Sequence, residues 1–227
     1  MARRHQIIKA VALFALSFTL GNAQANLTVI TDRALFSTQA VLFGTDNYAD
    51  LTFEPGGTTM DRFAGNFAYT ANVLPDDPTN PGSYFFPAGN DSEKWLSTNR
   101  PMDGIELLHF TGQVRAIGGE FFGSDITGAF LAGQAFHFTA TDANGSLSFD
   151  LTNAQLSSFA GFVSDSNIVS LSIHAVQPTE HGQYSWISGK NLTIGGDPSP
   201  VPEPTTSASL LLGLGLGTLC YRRRQRT

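Results

Sequence analysis

Residues 135–151 read AFHFTATDANGSLSFDL, and this stretch decides the fold of the chain. Apolar and polar residues alternate on both sides of residues 142–145, with Phe136 and Phe138 before them and Phe149 and Leu151 after them. Alternation with a period of two is typical of a strand that buries one face. Because Asn and Gly tolerate the positive φ of a tight turn, the stretch predicts an antiparallel β-hairpin.

Further short apolar segments, separated by Gly, Pro, Asn and Ser, extend this pattern along the chain. The predicted strands cover residues 27–30, 51–53, a segment holding Phe63, Phe67 and Tyr69, and residues 114–122, 159–163, 168–176, 186–187 and 192–194. Segments 159–163 and 168–176 predict a second hairpin through residues 164–167, with Val169, Leu171 and Ile173 facing inward. Segments 186–187 and 192–194 form either a strand pair or one bent strand.

One short helix is expected near the start of the body, over residues 32–40. Thr31 is the predicted cap, and Leu35 and Phe36 are available for one buried face. Apart from this segment, helical periodicity is almost lacking in the body. Many short strands with regular turn signals predict an all-β fold, a sandwich of two antiparallel sheets.

The first 25 residues have the three regions of a secretory signal peptide. A basic start is followed by apolar residues 10–20 and by small residues at Ala23 and Ala25. Cleavage is therefore expected between Ala25 and Asn26. The apolar core is too short to span a bilayer as a retained helix.

Three unlike elements follow one another at the C-terminal end, after a Pro-rich linker over residues 197–204. These are the peptide Val201, Pro202, Glu203, Pro204, the uncharged residues 205–221, and the basic cluster Arg222, Arg223, Arg224, Arg226. The prolines keep the first element extended and accessible. The uncharged run has the minimum length of a transmembrane helix, and the arginines place its end in the cytoplasm.

This order of elements resembles the PEP-CTERM sorting tail of exported proteins in Gram-negative bacteria that make exopolysaccharide. The resemblance implies recognition and processing by an exosortase-type membrane peptidase. The precursor is then expected in the inner membrane, and the product at the cell surface or in the extracellular matrix. Exopolysaccharide is a possible partner. An ordinary C-terminal anchor on a Pro-rich stalk is the alternative.

The body, residues 26–196, is similar to the β-sandwich domains that often precede such tails. Residues 31–36, 114–119 and 159–165 carry this likeness, which implies a jelly-roll-like fold. Related domains frequently end on an Asp-Asn-Leu step, whereas this chain has Lys190-Asn191-Leu192. The likeness implies no particular activity.

The exported part of the chain is strongly acidic. Residues 26–200 contain six Lys or Arg and eighteen Asp or Glu, a net charge of −12, against −6 for the whole chain. Such a charge disfavours binding to nucleic acid. The single cysteine, Cys220, lies in the tail, so a core without disulfides must stabilise the body.

No catalytic motif is present in the sequence, and a non-catalytic protein is expected. The histidines of the body are isolated and lack metal-ligand spacing: His109, His137, His174 and His181. Glu54, Glu106 and Glu120 lie near predicted strands, and a glycoside hydrolase would need two such carboxylates across a cleft. A secreted hydrolase of glycosides, or a surface adhesin or ice-interacting module, is the alternative function.

Residues 75–93 form a predicted long surface loop, which is often functional in a compact domain. Its aromatic candidates for ligand binding, with one just beyond it, are Tyr84, Phe85, Phe86 and Trp95. These residues would stack against sugars if exposed, or cover the core if buried. Weak candidates for a Ca²⁺ site are Asp76, Asp77, Asp91 and Glu93; otherwise no cofactor is expected. We therefore expect a structural or carbohydrate-associating protein.

Replacing Glu203→Ala or Pro204→Ala is expected to leave full-length protein in the inner membrane, because the peptidase would no longer recognise the extended peptide. Immunoblots of fractionated cells measure this retention. Asp197→Asn, which removes a nearby charge outside the peptide, is the control and should leave processing intact. Unchanged processing of both tail variants would contradict the assignment.

Overall fold

The computed structural model describes residues 27–40, 42–79, 82–178 and 184–196. The predicted signal peptide, its cleavage site and the C-terminal tail lie outside the described residues. In chain order the elements are β1 (Thr28–Ile30), α1 (Arg33–Phe36), β2 (Phe43–Asp46), β3 (Thr59–Ala64), β4 (Phe67–Leu74), β5 (Ala88–Asn90), β6 (Glu93–Ser97), β7 (Gly104–Leu108), β8 (Ala116–Ser124), β9 (Phe130–Leu131), β10 (Gln134–Asp142), β11 (Ser146–Ala154), β12 (Phe159–Val163), β13 (Ile168–Val176) and β14 (Trp186–Gly195).

These strands form two antiparallel sheets, so the predicted all-β sandwich is confirmed. The first sheet has the order β1-β12-β8-β14-β6-β5, with β2 also pairing to β14 and β9 to β8. The second has the order β11-β10-β13-β7-β4-β3. The hairpin predicted over residues 135–151 is formed by β10 and β11, with Phe138 opposite Phe149.

The core lies between the two sheets and is rich in phenylalanine. Phe121 of β8 meets Phe138 of β10 edge to face, with 5.1 Å between ring centroids, and Phe162 of β12 lies 6.0 Å from Phe138. All three side chains are at most 4% exposed. Since β8 and β12 belong to one sheet and β10 to the other, these rings hold the sheets together.

A polar cluster joins β2 of the first sheet to β3 and β4 of the second. Arg62 donates through Nε and Nη2 to the two carboxylate oxygens of Asp46, and through Nη1 and Nη2 to Asp50. The Tyr69 hydroxyl donates to Asp46 at 2.7 Å, and burial raises the pKa of both Tyr69 and Tyr48. The two buried charges of this cluster, on Arg62 and Asp46, are therefore paired and hydrogen-bonded.

The predicted second hairpin is wrong. Strand β12 pairs with β1 and β8 in the first sheet, whereas β13 pairs with β10 and β7 in the second. The connection between them therefore crosses the sandwich. Ile168 is buried and Val169 is 47% exposed, because a register irregularity beside Asp142 shifts the inward face by one residue. Leu171 and Ile173 do face the core.

The predicted strand at residues 51–53 is also wrong, because that segment lies in the loop after β2. Strand β2 itself carries little strand signal, since it reads Phe-Gly-Thr-Asp. A Cβ built on Gly44 would lie 1.9 Å from the carbonyl oxygen of Ala64. Close passage of β2 over β3 therefore requires glycine at this position.

Two further elements differ from the prediction, and one open alternative is decided by the structure. The helical segment is one turn, α1, capped by the Asp32 carboxylate and not by Thr31, with Phe36 buried and Leu35 exposed. The single strand expected near Tyr69 is the hairpin of β3 and β4. Of the two alternatives for the last segment, the structure has one bent strand, β14, with Asn191 at a φ of 51°.

Within the four described ranges, none of the helical structure combines the length and apolar character needed to cross a bilayer.

Asp46→Asn is expected to lower the free energy of unfolding by about 3 kcal/mol, because an amide leaves part of the buried Arg62 charge unpaired. Asp50 contacts the same guanidinium, but its side chain is 71% exposed. Asp50→Asn is therefore expected to lower the free energy of unfolding by less than about 1 kcal/mol. Urea denaturation of both variants measures the two values. Equal losses would show that Arg62 does not depend on Asp46 for its stability in the core.

Candidate functional site

A cleft with a volume of about 570 Å³ opens on the first sheet. One wall is the segment from Tyr84 to Asp91, and the opposite wall is the loop from Asp125 to Gly128. Trp186, at the start of β14, also lines it. A concave site of this size suits a small organic ligand or a few sugar residues.

The segment before β5 is laid along the end of β6 like an additional short strand. The Phe86 N–H donates to the carbonyl of Ser97, and the Tyr84 N–H donates to the side-chain oxygen of Asn99. Phe85 forms a β-bridge with Thr98. Alternation in this extended segment sends Phe85 into the core, where it is fully buried, and leaves Tyr84 and Phe86 on the cleft.

The opposite loop is closed around one carboxylate. Asp125 Oδ1 accepts hydrogen bonds from the N–H and hydroxyl of Thr127 and from the N–H of Ala129. The Thr127 hydroxyl, followed by the backbone donors, lowers the pKa of Asp125. Gly89 of β5 donates its N–H to the Gly128 carbonyl at 2.9 Å, which ties this loop to the first wall. The cleft is therefore preformed.

The four predicted aromatic candidates separate into two groups. Tyr84 and Phe86 lie on the cleft, whereas Phe85 and Trp95 are 0% and 4% exposed and cannot stack against a ligand. Trp95 packs edge to face against Phe122, with 4.8 Å between centroids. For these two residues the structure corrects the exposed-patch interpretation, because Phe85 packs in the core between the sheets and Trp95 is buried in a separate cluster with Ala88 and Phe122.

Sequence reasoning missed Trp186 and Asp125 as lining residues. Trp186 was assigned only to a strand, and Asp125 lies in an Asp-Ile-Thr-Gly turn that was not singled out. The turn chemistry of Asp125 to Gly128 was a usable signal, since Asp and Gly mark a tight loop. No local signal placed Trp186 opposite Tyr84, because the pairing of β14 with β8 and β6 brings it there.

The weak Ca²⁺ candidates are not brought together. Asp77 accepts from the N–H and hydroxyl of Thr79, and Glu93 pairs with Lys190. Asp91 lines the cleft, while the backbone of Asp76 bonds to another aspartate. Across the described ranges no group of three or more His, Cys, Asp or Glu side chains is placed to hold a metal ion.

The three glutamates suggested for a hydrolase do not converge. Glu106 lies between the core residues Ile105 and Leu107 and so faces away from the interior of the second sheet. Glu120 lies on the outer face of the first sheet, where Arg33 binds it at 2.9 Å. The two carboxylates are on opposite outer faces, and Glu54 is exposed in the loop after β2.

The histidines are also dispersed within the described chain, and His181 lies outside the described residues. His109 is exposed at the end of β7. His137 and His174 face each other across β10 and β13, and His137 Nδ1 lies 2.6 Å from Asp150. Burial, followed by the neighbouring His137, lowers the pKa of His174.

Lys190 and Asn191, where related domains carry an Asp-Asn step, belong to an ion-pair cluster beside the cleft. The ammonium of Lys190 binds Glu93 and lies 3.8 Å from Glu120, and the Asn191 amide donates to Glu120. The bend at Asn191 therefore turns the polar groups of β14 toward β8. This cluster pairs its charges internally.

Two antiparallel sheets with a cleft on the first of them define a β-sandwich protein with a candidate ligand-binding site. Residues 200–224 match the model of the PEP-CTERM protein-sorting motif. The chain is therefore the membrane-anchored precursor of an exported protein that exosortase recognises and sorts to the surface. No curated protein matches the chain.

Gly128→Ala is expected to loosen the cleft and to lower the free energy of unfolding by about 1 kcal/mol. Gly128 has a φ of 79°, and an added Cβ would lie 3.2 Å from the Cα of Ala88. Gly145→Ala is the matched control, because a Cβ there meets nothing within 4 Å. Thermal denaturation compares the stability of the two variants. Equal stability would contradict the requirement for glycine at residue 128 in the wall of the cleft.

Proposed function

We propose that the exported body associates with carbohydrate through the cleft between Tyr84, Phe86 and Trp186. The observation that supports this most is the combination of four partly exposed aromatic side chains, those of Phe53, Tyr84, Phe86 and Trp186, with amide, hydroxyl and carboxylate groups around one preformed cavity. Phe86 is 39% exposed and Trp186 is half-buried, so both have ring surface available to a ligand.

Sugars fit this chemistry because each ring has two kinds of surface. Its axial C–H groups form an apolar face that packs on an aromatic ring, and its equatorial hydroxyls require hydrogen-bond partners. Phe86 and Trp186 supply the first kind of contact. Asn90 and the carboxylate of Asp125 are polar groups of the lining that supply the second.

A binding role without catalysis is supported by the state of the cleft carboxylates. A glycoside hydrolase needs one carboxyl group with a raised pKa to protonate the leaving oxygen. Asp125 has the opposite property, because Thr127 holds it ionised. The presence of Asp91 and Asp125 in one cleft nevertheless favours a hydrolase as the second candidate function.

The sorting motif gives this binding role a location. Exosortase acts on a precursor whose tail is anchored in the membrane, and the body is then presented at the surface. We propose exopolysaccharide, and the extracellular matrix it forms, as the partner and the final place of the protein. The acidic body is soluble and is repelled by anionic lipid surfaces, which favours this release.

The test is a glycan array probed with the full chain in a detergent without sugar groups, followed by fluorescence titration of the glycans bound. Phe86→Ala is expected to weaken binding by about tenfold or more, the equivalent of about 1.4 kcal/mol. Phe63→Ala removes a 68% exposed ring outside the cleft and should leave affinity unchanged. The absence of any glycan binding would overturn the proposal.

The two tryptophans make the titration specific to the cleft. Trp95 is buried against Phe122 and Trp186 lines the cleft, so a ligand-induced change in fluorescence is expected to vanish in Trp186→Phe. Reducing-end assays on the bound glycans distinguish the hydrolase. Product release that is lost in Asp125→Asn would favour catalysis over simple binding.

A further inference from the structure

The cleft has an unusual charge balance among its described lining residues. It contains the carboxylates of Asp91 and Asp125 and no Lys or Arg. No described residue forms a hydrogen bond or ion pair with the Asp91 carboxylate. At Asp125 all three donors bind Oδ1, which leaves Oδ2 without a protein donor in the described chain.

Three basic side chains of the body have acidic partners: Arg33 binds Glu120, Arg62 binds two aspartates, and Lys190 binds Glu93. Lys94 is near the cleft. Its ammonium donates to the carbonyl of Ala49 and lies 5.9 Å from the centre of the ring of Phe53, which lines the cleft. None of these four cations is itself a lining residue of the cleft.

An anionic ligand in this cleft would meet the carboxylates of Asp91 and Asp125, with no Lys or Arg among the described lining residues. Like charges brought into one cleft repel, and the net charge of −12 on residues 26–200 adds to that repulsion. A ligand with an ammonium group would instead supply the partner that both carboxylates lack. The same aromatic rings would pack against a neutral sugar and against an amino sugar.

We propose that the cleft selects by charge: it takes neutral sugars and, more tightly, amino sugars with a free ammonium group, and it rejects uronic-acid and sulfated glycans. This selectivity rests on the proposed carbohydrate-binding function and narrows it to a class of ligand. Tyr84, Phe86 and Trp186 provide the contacts common to all sugars, and Asp91 and Asp125 discriminate among them.

The experiment titrates the full chain with β-1,4-linked oligomers of glucose, N-acetylglucosamine, glucosamine and glucuronic acid, together with the glycans that bind on the array. These oligomers share a backbone and differ in charge. At about pH 5.5, where carboxylates are ionised, the free-amine form of a bound glycan is expected to bind about fivefold tighter than its neutral form. This advantage should disappear in about 0.5 M NaCl, where the Debye length is about 4 Å.

A double variant, Asp91→Asn with Asp125→Asn, tests whether these two carboxylates cause the charge selectivity. In the double variant the ratio of free-amine to neutral-sugar affinity is expected to fall from about fivefold to about one, and the ratio of acidic to neutral-sugar affinity is expected to rise. The control, Asp61→Asn with Asp150→Asn, removes the same charge outside the cleft lining and should change none of these. The asparagine at residue 125 keeps the Oδ1 acceptor, so the loop is expected to stay folded.

The possible outcomes distinguish the charge selectivity from the carbohydrate binding on which it rests. Tight binding of acidic glycans that Phe86→Ala abolishes would overturn the charge selectivity and leave carbohydrate binding intact. Acidic glycans that bind with Ca²⁺ and not with EDTA would overturn it too, since a metal ion would then supply the positive charge. If no glycan of any charge binds, both proposals fail together.

Discussion

Burial of phenylalanine between two sheets is the constraint on which the rest of the structure depends. The chain has eighteen phenylalanines and one cysteine, which lies in the tail, so no disulfide within the chain can stabilise the body. Phe121 and Phe138 meet edge to face from opposite sheets. Because such packing is dense and has low conformational freedom, the strands that supply these rings form a rigid platform.

The cleft is built directly on that platform. Phe85 is anchored in the core, and alternation along the same extended segment places Tyr84 and Phe86 outside. Trp95 and Phe122 form a second packed layer beneath the site. Ligand-facing residues therefore alternate with core residues, which fixes their geometry before any ligand arrives and reduces the entropy lost on binding.

Delivery and the proposed binding belong to separate parts of the chain. The sorting motif at residues 200–224 indicates that the protein is exported and handled by exosortase. The sandwich carries the cleft. Ion pairs on its surface engage Arg33, Arg62 and Lys190, and the charged residues that line the cleft are Asp91 and Asp125.

The sequence by itself determined the features that depend on neighbouring residues. Strand alternation and an Asn-Gly turn fixed the β10–β11 hairpin, and the order of proline peptide, apolar run and arginines identified the tail. Only the tertiary structure decided that β12 and β13 belong to different sheets, that Gly44 lies in a strand, and that Trp186 and Phe86 line one cavity. Those outcomes depend on which distant surfaces pack together, and a local pattern of period two is the same whichever sheet a strand joins.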